Sequence, residues 1–78
     1  MEAELDNMNL LELSNVELPK TIVTLSLINN QLENVAELIS KIQYLNLKVM
    51  WLNGNSLEND ATLREFVETK TRIELYNR

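Results

Sequence analysis

The stretch LKVMWLNGNSL, residues 47 to 57, repeats the pattern of apolar and polar residues seen in IVTLSLINNQL, residues 22 to 32. Both stretches fit the form LxxLxLxxNxL, and their starting points are 25 residues apart. Within each LxL, apolar side chains alternate with variable ones, which is typical of a strand with one buried face. The sequence therefore predicts two short strands at equivalent places in a repeated unit.

The asparagine of this pattern is Asn30 in the first copy and Asn55 in the second. It follows the strand, at the point where the chain turns away. A short amide both donates and accepts hydrogen bonds, so it can satisfy backbone groups of adjacent turns. We expect Asn30 and Asn55 to be buried and to form a ladder between units.

Two further segments match the pattern less completely. Residues 8 to 18, MNLLELSNVEL, have Val16 where asparagine belongs and start only 14 residues before the next copy. That spacing is too short for a helix on the return path, so this segment is predicted to be an irregular first coil with its own strand. RIELY, residues 72 to 76, is predicted to be a closing strand, with Ile73 in register with Met50 and Leu75 with Leu52.

Helical periodicity separates the predicted strands. Residues 33 to 46 carry one apolar stripe, made by Val35, Leu38, Ile39, Ile42 and Leu45. Residues 59 to 70 repeat this pattern with Leu63, Phe66 and Val67, and either Asn59 or Asp60 is suited to cap the helix. Each stripe is expected to pack against the strands.

These motifs resemble the leucine-rich repeat family, whose units of about 20 to 29 residues contain the same signature. The segment after Asn55 also resembles the C-terminal cap that closes one class of these proteins. The resemblance implies an α/β fold: a right-handed solenoid with three to four short parallel strands on its concave face and helices on its convex face. Residues 1–78 then form a single domain. Its parts are an irregular first coil at 8–18, a full repeat at 22–46, the last full motif at 47–58, and a cap helix with its closing strand at 59–78.

Composition argues against several functional classes. The sequence has no histidine and no cysteine, so it lacks the commonest general base and the usual activated nucleophiles and metal ligands. We therefore expect no enzyme activity, no cofactor and no metal. The formal net charge of -5 disfavours nucleic acid, and no apolar run is long enough for a membrane span. The expected location is the cytoplasm, with the nucleus as the alternative.

The variable positions of each strand are expected to point outward, onto the concave face. From the first strand to the last they are Leu10, Glu12 and Ser14; Thr24, Ser26 and Ile28; Val49, Trp51 and Asn53; and Arg72, Glu74 and Tyr76. This order predicts that Trp51 stands between Ser26 and Glu74, where small or charged neighbours leave its ring accessible.

An accessible Trp51, together with Ile28, Val49 and Tyr76, would form a patch of the kind that anchors a protein partner. The candidate partner-binding residues are Thr24, Ser26, Ile28, Val49, Trp51, Asn53, Glu74 and Tyr76. Two other interpretations stay open for the tryptophan: it covers its own sheet or an adjoining segment of a larger parent protein, or it supports weak self-association through an apolar patch or exposed edge. The leading hypothesis is a protein-interaction module, and the alternative is an accessory domain that docks on its parent.

Overall fold

Within residues 1–76, which the computed structural model describes, the chain is an α/β protein with a four-stranded parallel sheet and two helices. The strands are β1 (Glu2–Glu4), β2 (Thr24–Ser26), β3 (Val49–Trp51) and β4 (Glu74–Tyr76). Their order in the sheet is their order in the sequence. The helix α1 (Val35–Ile42) follows β2, and α2 (Ala61–Lys70) follows β3.

The core lies between one face of the sheet and the two helices. The central residue of each strand points into it; Leu25 and Met50 are fully buried, whereas Ala3 and Leu75, on the edge strands, are only partly covered. The helices supply Leu38, Ile42, Leu63 and Val67 to the same cluster. The predicted apolar stripes therefore face the sheet.

Each helix begins at a side-chain cap. Asn34 accepts a hydrogen bond from the Glu37 amide at 3.1 Å, which starts α1 two residues after the predicted boundary. Asp60 accepts from the Leu63 amide at 3.0 Å, so Asp60 caps α2 rather than Asn59. A short polar side chain in this position satisfies one of the amides that the first helical turn leaves unpaired.

The first strand lies at Glu2–Glu4 and pairs with β2, so the prediction of a strand within residues 8 to 18 was wrong. Parallel strands need a crossover of about a dozen residues or more. The observed pairing leaves residues 5 to 23 for that connection, whereas a strand over residues 10 to 14 would leave only residues 15 to 23. Leu10, Glu12 and Ser14 consequently lie in the connection and not on a strand.

The first three strands are followed by residues with the same backbone conformation. Asn7, Asn29 and Gly54 have positive φ values of 58°, 56° and 81°. Asn29 and Gly54 directly precede the ladder asparagines, and Asn7 occupies the matching place 22 residues before Asn29. Asparagine and glycine are the residues that adopt this left-handed conformation most readily. The chain thus makes the same turn after β1, β2 and β3.

The ladder predicted for the two asparagines is confirmed, since each is only 6% exposed. The Asn55 side chain donates to the carbonyls of Leu52, at 2.9 Å, and Leu27, at 2.7 Å. Its Oδ1 accepts from the Leu32 amide at 3.0 Å. One amide therefore joins its own turn to two backbone positions of the preceding unit.

Asn30 joins its turn to the connection between β1 and β2 in the same way. Its Oδ1 accepts from the amides of Met8 and Leu10, both at 3.0 Å, and its Nδ2 donates to the Leu5 carbonyl at 2.9 Å. Further along, Leu13 is fully buried, and its amide donates to Glu37 Oε1 of α1 at 2.8 Å. The connection has no regular secondary structure, but hydrogen bonds to Asn30 and to Glu37 hold it in place.

The register of the last strand differs from the prediction by two residues. Leu75 pairs with Met50, and Tyr76 pairs with Trp51. Side chains alternate with a period of two along a strand, so a shift of two residues keeps every side chain on its predicted face. What changes is the neighbour of Trp51, which is Tyr76 and not Glu74.

A candidate partner-binding face

The sheet has one face that the helices do not cover, which we call the open face. The strands place eight residues on it, which are Glu2, Glu4, Thr24, Ser26, Val49, Trp51, Glu74 and Tyr76. We add Asp6, whose carboxylate bonds to Ser26, and Ile28 and Asn53, which continue the alternation two residues beyond β2 and β3. All eight residues proposed from the sequence as partner-binding lie on this face. Arg72, also predicted to point outward, is exposed just before β4.

Trp51 and Tyr76 form an aromatic pair on this face. Their ring centroids are 6.2 Å apart and their planes are tilted by 36°, which is within the range of favourable aromatic pairs. Tyr76 is 46% exposed, and Trp51 is partly exposed. The strand backbones hold both rings in place, so the pair presents an accessible apolar surface on a rigid base.

Two of the predicted contact residues are not accessible. Ser26 is 1% exposed and Ile28 is 8% exposed. Ser26 stands between Glu4 and Trp51 in the sheet, and its hydroxyl donates to Asp6 Oδ1 at 2.6 Å. The same oxygen accepts from the Ile28 amide at 2.9 Å. Both residues belong to the floor of the face, so the prediction that they are exposed there was wrong.

The accessible surface around the rings is therefore smaller and more polar than the sequence indicated. Thr24, Val49 and Asn53 are partly exposed, and Glu74 is exposed. They flank the aromatic pair on neighbouring strands and at the carboxyl end of β3. A partner that binds here would contact the two aromatic rings at the centre and mainly polar side chains around them.

Acidic residues dominate the charge of the open face. Glu2 and Glu4 are exposed on β1, Asp6 follows them, and Glu74 lies on β4. None of the face's eleven residues is lysine or arginine. Sequence reasoning missed the three acids of the first unit because it placed that strand too late; the alternation in EAELD followed by Asn7 was the signal that could have located it.

Tyr76 and Glu74 interact directly, because the tyrosine hydroxyl donates a hydrogen bond to Glu74 Oε2. This hydrogen bond raises the pKa of Tyr76 above its usual value, and the negative charge of Glu74 and a little desolvation act in the same direction. The hydrogen bond to Glu74 helps to fix the tyrosine ring beside Trp51.

In the part of the chain that the structure describes, no three acidic side chains come together as a group able to hold a metal ion. No helix among residues 1–76 has the length and apolar character needed to cross a membrane.

Comparisons with known protein families, with characterised proteins and with solved structures find no match to this chain.

Proposed function

We propose that this chain is a protein-interaction module of the leucine-rich repeat family, and that its open face is the concave, partner-binding face of a right-handed solenoid. The recurring motif supports this proposal, as do parallel strands whose spatial order follows the sequence. Asn55 bridging two units, and the left-handed turn at Asn7, Asn29 and Gly54, add two features that a stacked repeat requires.

The exposed pair of Trp51 and Tyr76 is the main support for a binding function. Aromatic side chains are enriched among the residues that contribute most to protein interfaces. Here the two rings lie on the face without helices, 6.2 Å apart and accessible from solvent. We infer that an extended segment of a partner protein crosses the strands at this point.

The proposed activity is binding and not catalysis, with no cofactor required. The sequence contains neither histidine nor cysteine, so it lacks the commonest general base and the most readily activated nucleophile. The acidic face also disfavours nucleic acid and anionic membranes as partners, since both would be repelled. The proposed compartment is the cytoplasm, with the nucleus as the alternative.

The test compares partner capture from lysate of the source cells by the wild type, Trp51→Ala and Thr24→Arg. We expect both variants to lose most of the captured protein, whose affinity is then measured by titration with purified components. Tyr44→Ala is the matched control, because Tyr44 is an aromatic residue that is 71% exposed and lies outside the open face. Capture that is equal for Trp51→Ala and the wild type would reject the open face as the binding surface.

A second candidate function is an accessory domain that docks on a larger parent protein. Apolar side chains outside the open face favour it: Met8 is 55% exposed and Leu11 is 61% exposed. In residues 1–76, β1 and β4 also form the two edges of the sheet, and exposed edges are natural sites for docking. Light scattering and a dye that binds exposed apolar surface distinguish the two functions, because a stable monomer that binds no dye would argue against docking.

A further inference from the structure

We propose that the segment bound by the open face is cationic, and that it places an arginine side chain against the Trp51 and Tyr76 rings between the carboxylates of Glu4 and Glu74. This inference rests on the proposed function, since it specifies what the open face recognises. It is drawn from the position of the rings relative to the acids.

The sheet register defines that position. Trp51 pairs with Tyr76 on one side and with Ser26 on the other, and Ser26 pairs in turn with Glu4. Strands are about 4.8 Å apart, so the Glu4 backbone lies about 10 Å from that of Trp51. Glu74 precedes Tyr76 by two residues on the same face. A group that sits on the Trp51 ring therefore has the strand of Glu4 on one side and, on the other, the strand of Glu74, whose carboxylate also accepts the Tyr76 hydroxyl.

A cation is favoured there for two separate reasons. The face of an aromatic ring attracts a positive charge within about 6 Å of its centre. The flanking carboxylates add attraction between opposite charges, and both Glu4 and Glu74 are exposed enough to reach a ligand. In the buried floor, the Ser26 hydroxyl and the Ile28 amide already donate to Asp6. The ligand therefore contacts the two rings and the carboxylates of Glu4 and Glu74.

The same charges argue against the other occupants. Two copies of the chain that met through their open faces would bring Glu2, Glu4 and Glu74 of one against those of the other. Like charges at an interface disfavour that association. Apolar peptides would use the rings but gain nothing from the acids. A basic segment is the partner chemistry that uses both parts of the face.

An arginine side chain suits the aromatic rings and their flanking carboxylates better than a lysine side chain does. Its planar guanidinium stacks on aromatic rings and can pair with a carboxylate through two parallel hydrogen bonds, whereas the lysine ammonium is a compact and strongly hydrated charge. We therefore expect an arginine peptide to bind more tightly than a lysine peptide of the same length and net charge.

Trp51 is the sole tryptophan of the sequence, so its fluorescence reports binding at this place. The probe is a synthetic hexa-arginine peptide, titrated into the full chain at an ionic strength of about 0.15 M, where long-range charge effects are screened. We expect saturable quenching of Trp51, weaker quenching by hexa-lysine, and no change with hexa-glutamate.

The decisive comparison uses two double variants with the same change in net charge. Glu4→Gln with Glu74→Gln removes the flanking acids, and Glu65→Gln with Glu68→Gln removes two exposed acids of α2. We expect the open-face variant to weaken hexa-arginine binding about fivefold, in line with two partly exposed charge pairs, and the α2 variant to change it less than twofold. Circular dichroism checks that both variants fold.

Equal weakening by the two double variants would show that only net charge matters and would overturn the inference. So would an absence of hexa-arginine binding, or a wild-type dimer, seen by sedimentation, that excludes the peptide. The proposed function is judged separately. If Trp51→Ala abolishes partner capture while the open-face double variant leaves it unchanged, the binding surface stands and the cationic ligand is wrong; if Trp51→Ala captures normally, the binding surface itself is wrong.

Discussion

At the scale of single residues, a few polar side chains define the turns of this protein. Asn55 is almost fully buried and bonds three backbone groups, two of which belong to the preceding unit. Gly54, beside it, has a φ of 81°, and a Cβ there would lie 2.1 Å from Asn29 Oδ1. The left-handed residues of neighbouring units therefore stack closely, and side-chain size is restricted where they meet.

Replacing Asn55 by alanine should destabilise the fold by about 2 to 4 kcal/mol, because the Leu52 carbonyl and the Leu32 amide lose the hydrogen bonds that Asn55 makes, whereas the Leu27 carbonyl keeps the one from Asn30 Nδ2. Chemical denaturation followed by circular dichroism measures the change in the free energy of unfolding. Asn46→Ala is the control: Asn46 is exposed, so a change within about 0.5 kcal/mol is expected. Similar losses in both variants would show that the ladder contributes nothing specific.

The Tyr76 hydroxyl should titrate at higher pH than an ordinary tyrosine, because its hydrogen bond to Glu74 and the charge of that carboxylate raise its pKa. Since the folded pKa exceeds the unfolded value of about 10, the pair's contribution to stability is complete below pH 10 and is lost as pH rises through the folded pKa. Ultraviolet absorbance of a Tyr44→Phe protein follows Tyr76 alone, because the sequence has two tyrosines. Adding Glu74→Gln should lower the midpoint, and an unchanged midpoint would contradict the assigned cause.

At the scale of elements, the connection between β1 and β2 replaces a helix with an anchored irregular segment. Leu13 is fully buried, whereas Leu11, two residues earlier, is 61% exposed. The sequence pattern would place both in the core, since both match leucine positions of the motif. The structure separates them because residues 8 to 18 form no strand, so the alternation of a strand does not apply.

Leu13→Ala should therefore lower the free energy of unfolding by about 2 to 4 kcal/mol through the cavity it leaves, whereas Leu11→Ala should change it by less than about 0.5 kcal/mol. The two substitutions remove the same atoms, so they differ only in environment. Denaturant titrations of both variants give the comparison. A similar loss of unfolding free energy for Leu11→Ala would show that Leu11 is buried, as the motif predicted, and would contradict its exposed position.

At the scale of the whole molecule, one hydrophobic cluster unites all parts of the described chain. It contains Leu13 from the connection, the strand residues Leu25 and Met50, and the helix residues Leu38 and Leu63. The helices α1 and α2 also contact each other. No part of residues 1–76 has a separate core, so local unfolding at one place would expose apolar side chains of the rest of the cluster.

We expect unfolding to be a single cooperative transition. Trp51 fluorescence reports the open face, and far-ultraviolet circular dichroism reports mainly the helices. Because both depend on the same core, their denaturant midpoints should coincide. Two resolved transitions, with the fluorescence change at a different denaturant concentration, would show that the units unfold independently.

Much of the fold and of the open face was accessible from local sequence patterns. The strands β2 and β3, the buried faces of α1 and α2, and the ladder of Asn30 and Asn55 follow from alternation, helical periodicity and the chemistry of a short amide. The outward direction of Trp51 followed from the same alternation. The strands, the helix faces and the direction of Trp51 depend on residues close together in the chain, whose geometry is set by φ and ψ. The ladder was predicted from the recurrence of the motif, since its hydrogen bonds join Asn30 to Leu5 and Asn55 to Leu27, 25 and 28 positions away.

Tertiary structure alone decided which distant residues became neighbours. It placed β1 at Glu2–Glu4. It also paired β4 two residues away from the predicted register, which puts Tyr76 beside Trp51. It also buried Ser26 and Ile28, whose hydroxyl and backbone amide donate to Asp6, a residue 20 or more positions away. Pairing between strands depends on which segments fill the core together, and a repeat pattern read along the sequence does not contain that information.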